Sequence, residues 1–188
     1  MGFRRRTLRT EDELYDHAIA LLARRMRSIR ELEKLLGRSV DSRSEAGRIL
    51  VELVIRRLGD LGYLNDERFA AAYSEFRRDN DKFGPGRIAR DLKAKGLHQE
   101  IISRALASTF RDFDEEKQAR AYLRRKRSLP PSDRQQAARI FRQLVRAGFQ
   151  AKTAFGILRK WEVGEDVLGE LEDALNLEDQ PGEDQPGS

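Results

Sequence analysis

The chain has no cysteine, so neither a disulfide framework nor a thiolate metal site is available, which fits a reducing compartment. It also has no long apolar run. Ile49-Leu50-Val51 and Leu53-Val54-Ile55 are interrupted by charge well short of a membrane span, so no membrane partner is expected. The opening MGFRRRTLRTEDE lacks the apolar core of a secretory signal, and Arg6 stands where a myristoylation site needs Ser or Thr. The expected location is the cytoplasm. Histidine is scarce: His17 and His98 are the only two, and neither has a second histidine at ligand spacing. His98 reads as a helix-capping or solvent-facing residue and His17 as a boundary residue beside an apolar stripe. The acidic pairs Asp79 with Asp81 and Asp112 with Asp114 are commonplace in a charged helical chain. Asp79-Asn80-Asp81 lacks the Gly and distal Glu that complete a calcium loop. No catalytic residue, metal or cofactor is therefore expected, and the chain does not read as an enzyme.

Sustained period-two alternation is missing too, which argues against strands. What is present is charge and helical periodicity. Of the 188 residues, 37% are charged and 39% hydrophobic, enough for a thin core under a charged surface. The net charge of +5 hides an asymmetry. After Trp161 there are ten acids and no Lys or Arg, so residues 1–161 carry 37 basic against 22 acidic side chains, a net +15. Such a body attracts polyanions.

Apolar residues recur at helical spacing in Leu14, Ala18, Leu21 and Leu22, in Leu50, Val54, Leu58 and Leu61, and in Phe69, Tyr73 and Phe76. Asp66, Pro85 and Ser132 or Asp133 mark helix starts, while Gly62, Gly96 and Gly148, each followed by an apolar residue, mark helix ends. These signals predict helices near 12–26, 29–36 and 45–61, then 66–80, 85–95 and 98–108, then 114–127, 133–147 and 150–160. The fold class is all-α, a tandem array of three short three-helix units at 12–65, 66–110 and 111–161. Residues 1–11 read as a flexible basic arm. Residues 162–188 read as an acidic tail, largely disordered, ending in two tandem copies of EDQPG. Leu168, Leu171, Leu175 and Leu177 suit a short amphipathic helix within it.

An internal echo supports the array. RIARDLKAKGL at 87–97 aligns with RIFRQLVRAGF at 139–149 at a constant offset of 52, matching Arg87 with Arg139, Ile88 with Ile140, Arg90 with Arg142, Leu92 with Leu144 and Gly96 with Gly148. A period of this length implies a repeated supersecondary unit whose copies hide their apolar stripes by packing on one another. The echo also bears on FGPGRIARDLKAKG at 83–96, where two glycines before a basic helix suggest a phosphate cradle. The second copy lacks Gly-Pro-Gly, and the first lacks the spacing of a triphosphate loop and has no preceding strand. The segment therefore reads as a helix start.

Basic residues supply the candidate site. Arg87 and Arg90, with Lys93 and Lys95, lie on one such helix. Arg139, Arg142 and Arg146 form an i, i+3, i+7 stripe opposite Ile140 and Leu144 on its counterpart. Arg24, Arg25 and Arg27, and Arg124, Arg125, Lys126 and Arg127, form further clusters in the echoing segments RRMRS and RRKRS. Guanidinium groups so placed make forked bonds to phosphate or carboxylate. Stacked units would join them into one extended concave surface. Aromatic residues, among them Tyr63, Phe69, Tyr73, Tyr122, Phe141, Phe149, Phe155 and Trp161, sit mostly at core-compatible positions.

Three segments resemble one family: LLARRMRSIRELEKLL at 21–36, GYLNDERFAAAY at 62–73 and GPGRIARDLKAKGL at 84–97 are similar to the RecX family of regulators of the RecA recombinase. The similarity runs from about residue 12 to 160, with QARAYLRRKR and RIFRQLVRAGF in the expected order. The resemblance implies an elongated, curved body of tandem three-helix units lying in the groove of the RecA–DNA filament. It also implies negative regulation of RecA: inhibition of ATP hydrolysis, strand exchange and coprotease activity. The implied partners are the RecA filament and, by weak electrostatic contact, single- or double-stranded DNA, with the protein itself a monomer. The alternative is a helical protein that binds nucleic acid without regard to sequence and has no recombinase partner. Two features depart from the family pattern: the SVDSRSEAG extension after the second helix, and the acidic EDQPG tail. The tail is expected to fold back on the basic body and weaken non-specific DNA binding.

Overall fold

A computed structural model of the chain describes residues 7–41 and 43–178, and among these it is helical with no strand. The helices are α1 (Glu11–Arg24), α2 (Ile29–Leu36), α3 (Glu45–Asp60), α4 (Asp66–Asp81), α5 (Pro85–Ala94), α6 (Gln99–Thr109), α7 (Glu115–Arg125), α8 (Arg134–Arg146), α9 (Ala151–Lys160) and α10 (Glu165–Glu178). Each of the nine helices predicted up to residue 160 forms, with ends within two residues of expectation. The basic arm up to Arg6 and the EDQPG repeats beyond Glu178 lie outside the described residues.

Local chemistry explains the boundaries. Thr10, Ser28, Ser44, Asp114 and Asp133 cap their helices by accepting a backbone N–H from the first turn. At α4 the cap is Asn65, whose side chain accepts from Arg68 N at 2.8 Å. Asp66, read from sequence as the start signal, is already helical, and its carboxylate accepts from Ile29 N at 3.0 Å. Gly62, Gly96 and Gly148 take φ of +73°, +84° and +93°. After each, the next residue's N–H returns to the carbonyl five positions back, the left-handed closure that the glycine stops predict.

Tertiary contacts group the chain into two compact units: residues 1–77 with 88–111, and residues 78–87 with 112–188. In the first, Leu14 and Ala18 of α1, Leu32 and Leu36 of α2, and Val54 and Leu58 of α3 form a core with Val40 and Leu64. The loop extension contributes to it: Val40 is buried, and Gly47 lies where a Cβ would meet the Asp41 carbonyl. His17 Nε2 pairs with Ser39 Oγ at 3.3 Å, a boundary contact.

In the second unit Tyr122 and Leu123 of α7, Phe141 and Leu144 of α8, and Phe155 and Leu158 of α9 build the core. The Phe141 and Phe155 rings lie 4.6 Å apart, centre to centre. The largely disordered tail expected over 162–188 is helical over Glu165–Glu178, a longer helix than the short amphipathic one that the spacing of Leu168, Leu171, Leu175 and Leu177 suggested. Leu168 is buried in this core, with Val163, Val167 and Leu171 packed against it. Apolar burial at helical spacing outweighs the acidic composition that suggested disorder.

The second unit also accounts for the Gly-Pro-Gly segment. Gly84 N donates to Ala147 O at 2.9 Å and Gly86 N to Gly148 O at 3.1 Å. A Cβ on Gly148 would stand 2.0 Å from Arg87 N, and one on Gly84 would stand 2.5 Å from Gly148 O. The N–H groups that a phosphate would need are used by backbone carbonyls. The glycines are there because two chain segments touch.

Gly148→Ala is accordingly expected to lower stability by about 2–4 kcal/mol through backbone strain and steric clash. Gly156→Ala, in the middle of α9 where an added Cβ meets nothing within 4 Å, is expected to raise it by up to about 1 kcal/mol. Urea unfolding of both variants checks the pair.

Candidate functional site

The structure brings seven of the fourteen predicted basic residues into clefts, one in the first unit and two adjoining ones in the second. In the first unit a cleft of about 320 Å³ is walled by Arg25, Arg27, Arg30, Lys34, Arg38 and Lys95, with Glu31 its one acid. Arg25, Arg27 and Lys95 belong to the sequence prediction. Arg30, Lys34 and Arg38 were missed, although their i, i+4, i+8 spacing is the signal of a single helix face.

Glu31 organises this cluster. It is the third residue of α2, and its carboxylate accepts from Ser28 N while Ser28 Oγ accepts from Glu31 N, the reciprocal pair of a capping box. The same carboxylate takes Lys95 Nζ at 2.9 Å and Arg25 Nη2 at 3.5 Å. Buried Ser28 also donates its hydroxyl to Lys95 O at 2.7 Å. Burial penalises the Glu31 charge. The Lys95 hydrogen bond and charge, the Ser28 N–H and Arg25 outweigh that penalty and hold the carboxyl below its ordinary value. Lys95 is therefore engaged internally as well as lining the cleft. Burial, together with the like charges of Arg25 and Arg24, pushes the Arg27 guanidinium below its ordinary value. A cation held among cations favours an arriving anion.

In the second unit Lys126, Arg127 and Arg139 line a cleft of about 370 Å³ with Gln136 and Gln143. Arg134, Arg139 and Arg142 line an adjoining, shallower one of about 750 Å³ with Asp133. Arg139, Arg142 and Arg146 are exposed, while Ile140 and Leu144 between them are buried, as the stripe predicts. Arg139 and Arg142 form no ion pair among the described residues. Arg24, Arg87, Arg90, Lys93, Arg124, Arg125 and Arg146 line none of these clefts. Arg125 pairs with Asp81 at 3.3 Å, and the Arg87 guanidinium lies 5.5 Å from the Phe83 ring centre.

Acidic α10 packs on α8 at this second cluster. Glu170 pairs with Arg134, and Glu165 pairs with Arg159 at 3.1 Å. The tail thus neutralises cations at the edge of the α8 cluster, using a helix anchored by Leu168. The attraction and an apolar helix face through Leu168 were legible in the sequence; the seating of Leu168 in the core built by α7, α8 and α9 was not.

Among the described residues no group of three or more His, Asp or Glu side chains is placed to hold a metal ion. Three of the four candidate carboxylates are engaged: Asp79 bonds Arg78 at 2.7 Å, Asp81 bonds Arg125, and Asp114 caps α7. No helix among the described residues is long and apolar enough to cross a membrane.

These observations define a class: a protein of short helices, all-α among the described residues, with clusters of exposed guanidinium groups. The family model described as RecX, second three-helix domain, matches residues 65–106. The regulatory protein RecX of Cronobacter sakazakii is 31% identical over 155 residues, covering 79% of this chain and 92% of that one. Its counterpart from Xanthomonas axonopodis pv. citri is 36% identical over 138 residues, 72% and 80% of the respective chains. The chain belongs to the RecX family. Against the Bacillus subtilis regulatory protein RecX it is 35% identical over 138 residues, and it spans 50% of that relative's length. A crystal structure of RecX from Lactobacillus salivarius shares the fold with a TM-score of 0.58 at 22% identity, covering 81% of this chain and 96% of the other.

Two outcomes follow from the site's electrostatics. Glu31→Gln is expected to cost about 1–2 kcal/mol at pH 7, through the lost charge-assisted bonds. The Glu31 pKa lies below its ordinary 4.5 in the folded chain. The wild-type advantage is therefore complete above that ordinary value and disappears as pH falls through the lowered folded value. Urea unfolding at pH 7 and at stepped acidic pH reads this convergence. In the second unit, Glu165→Gln with Glu170→Gln frees Arg159 and Arg134 while leaving Leu168 in place. Affinity for double-stranded DNA at low salt is expected to rise about three- to tenfold, with a steeper dependence on salt, measured by fluorescence anisotropy.

Proposed function

We propose that this chain is a non-enzymatic negative regulator of the RecA recombinase. It binds in the groove of the RecA–DNA filament and inhibits ATP hydrolysis, strand exchange and coprotease activity. The observation that carries this reading is the conjunction of RecX family membership with two exposed arginines, Arg139 and Arg142, that form no ion pair among the described residues. An ordinary surface pairs or disperses such charges. Here they are concentrated on the solvent face of a helix whose other face is locked into the core, so their positions are preset for a repetitive anionic partner.

The helices act as three successive three-helix units, over 12–65, 66–110 and 111–161, each presenting basic side chains to recombinase carboxylates or to DNA phosphates. Arg24, Arg25, Arg27, Arg87, Arg90 and Lys93 contribute from the first two units, and Arg124, Lys126, Arg127, Arg139, Arg142 and Arg146 from the third. Guanidinium forks serve either acceptor. Inhibition follows when bridging contacts block the protomer movements or additions that the active filament requires.

The test is RecA ATPase activity on single-stranded DNA with substoichiometric protein. Inhibition well below the amount needed to coat the DNA is expected. Inhibition that instead tracks DNA coverage would identify simple competition for nucleic acid by a protein without a recombinase partner. Arg139→Glu with Arg142→Glu is expected to weaken inhibition at least about tenfold, the scale of two lost charge-assisted contacts, while circular dichroism and the melting temperature stay near wild type. Full inhibition by this folded variant would remove α8 from the interface.

A further inference from the structure

The first unit contains a second recess of different chemistry, formed by the last turns of α1, the turn after α3 and the start of α4. Its volume is about 290 Å³. Ile19, Leu22 and Ala23 of α1 and Phe69 of α4 make its walls apolar. Met26 and Tyr63 stand at its rim, 47% and 55% exposed. Tyr63 and Phe76 both depart from the core placement expected of most aromatic residues, and of the two only Tyr63 lines this recess. An exposed thioether and an exposed aromatic ring beside a preformed apolar recess are the ingredients of an anchoring pocket.

Two cations complete it. Arg27 Nε donates to Leu21 O at 3.3 Å, and Arg68 Nη2 donates to Gly62 O at 2.9 Å. These carbonyl bonds hold each guanidinium against the recess without neutralising it. Neither arginine has a carboxylate partner among the described residues, and no acid lines the recess. Arg24 and Arg25 add positive charge near Arg27. The complement of this surface is apolar at its centre and negative at its flanks.

We infer that this recess is a docking site for an acidic peptide segment that inserts one bulky apolar side chain between Met26 and Tyr63 while its flanking carboxylates meet Arg27 and Arg68. A nucleic acid fits less well. The walls are largely aliphatic, and the one amide in the lining, Asn65, already spends its side-chain oxygen on capping α4, so little remains to read or stack a base. The apolar centre would also be wasted on a phosphate chain. This inference stands apart from the recombinase reading, because it is tested without any recombinase.

The probe is a fluorescein-labelled peptide, GDEEDFEEDG, compared by anisotropy with its Phe-to-Ala counterpart and with a twenty-nucleotide oligo-dT strand. The full chain is expected to bind the Phe peptide at least about tenfold more tightly than the Ala peptide, the scale of one buried aromatic side chain. Ala23→Glu, on an exposed position of α1, places a carboxylate in the recess and is expected to reduce Phe-peptide affinity by at least about tenfold, and Arg68→Gln by severalfold. Arg139→Glu with Arg142→Glu, in the other unit, is expected to leave it unchanged. Circular dichroism establishes that each variant is folded. Equal binding of the two peptides, no binding of either, or a loss on changing Arg139 and Arg142 rather than Ala23 would overturn the proposal. So would weakened oligo-dT binding by Ala23→Glu with peptide binding intact, which would assign the recess to nucleic acid.

Discussion

Each unit of this protein is closed at a helix end where a left-handed glycine leaves no room for a side chain. In the first unit Gly96 follows α5 with φ +84°, and a Cβ there would lie 2.0 Å from Arg30 Cδ. In the second, Gly148 follows α8 with φ +93° against the backbone of Arg87. Any other residue would pay twice, for the backbone conformation and for the clash. Because α2 is seated on one of these ends and the Gly-Pro-Gly segment on the other, the basic side chains beside them inherit fixed positions. The echo between residues 87–97 and 139–149 is the sequence trace of this constraint.

Around the first of these ends the polar chemistry is shared between distant segments. Glu31 closes its own capping box and reaches Lys95, 64 positions along the chain, while Ser28 caps α2 and also donates to Lys95 O. An N-terminal cap and a C-terminal helix end thus satisfy one another, which removes orphan donors and acceptors that burial would otherwise make costly. The same arrangement sets the charge balance of the cleft. With Glu31 drawn inward, Arg30, Lys34 and Arg38 are left facing outward with little acid among them, a surface suited to an anionic partner.

Electrostatics and burial cooperate differently in the second unit. Acidic α10 is held by Leu168 in a core also built from Phe141, Leu144 and Leu158, and its carboxylates then meet Arg134 and Arg159. The apolar anchor removes the entropic cost that a loose acidic tail would pay for each contact. Arg139 and Arg142 form no ion pair among the described residues, so the second basic cluster is trimmed at its edge while these two arginines stay exposed on α8.

Much of this was legible along the chain. Period 3.6 in Leu14, Ala18 and Leu22, start signals at Pro85 and at Ser132 or Asp133, and stop glycines at 62, 96 and 148 mark helices whose ends fall within two residues of expectation, because each signal acts over one or two turns. The exposure of Arg139 and Arg142 followed from the burial of Ile140 and Leu144 on the opposite face. Other features depend on residues brought together from far apart: the grouping of Arg30, Lys34 and Arg38 with Arg25 and Lys95, the withdrawal of Lys95 toward Glu31, the use of Gly84 and Gly86 by the Gly148 turn, and the anchoring of α10. Local periodicity assigns each side chain to a face of its own helix. Which faces meet, and which charges are thereby spent or left for a partner, is decided only when tertiary packing chooses between solvent, core and counter-ion.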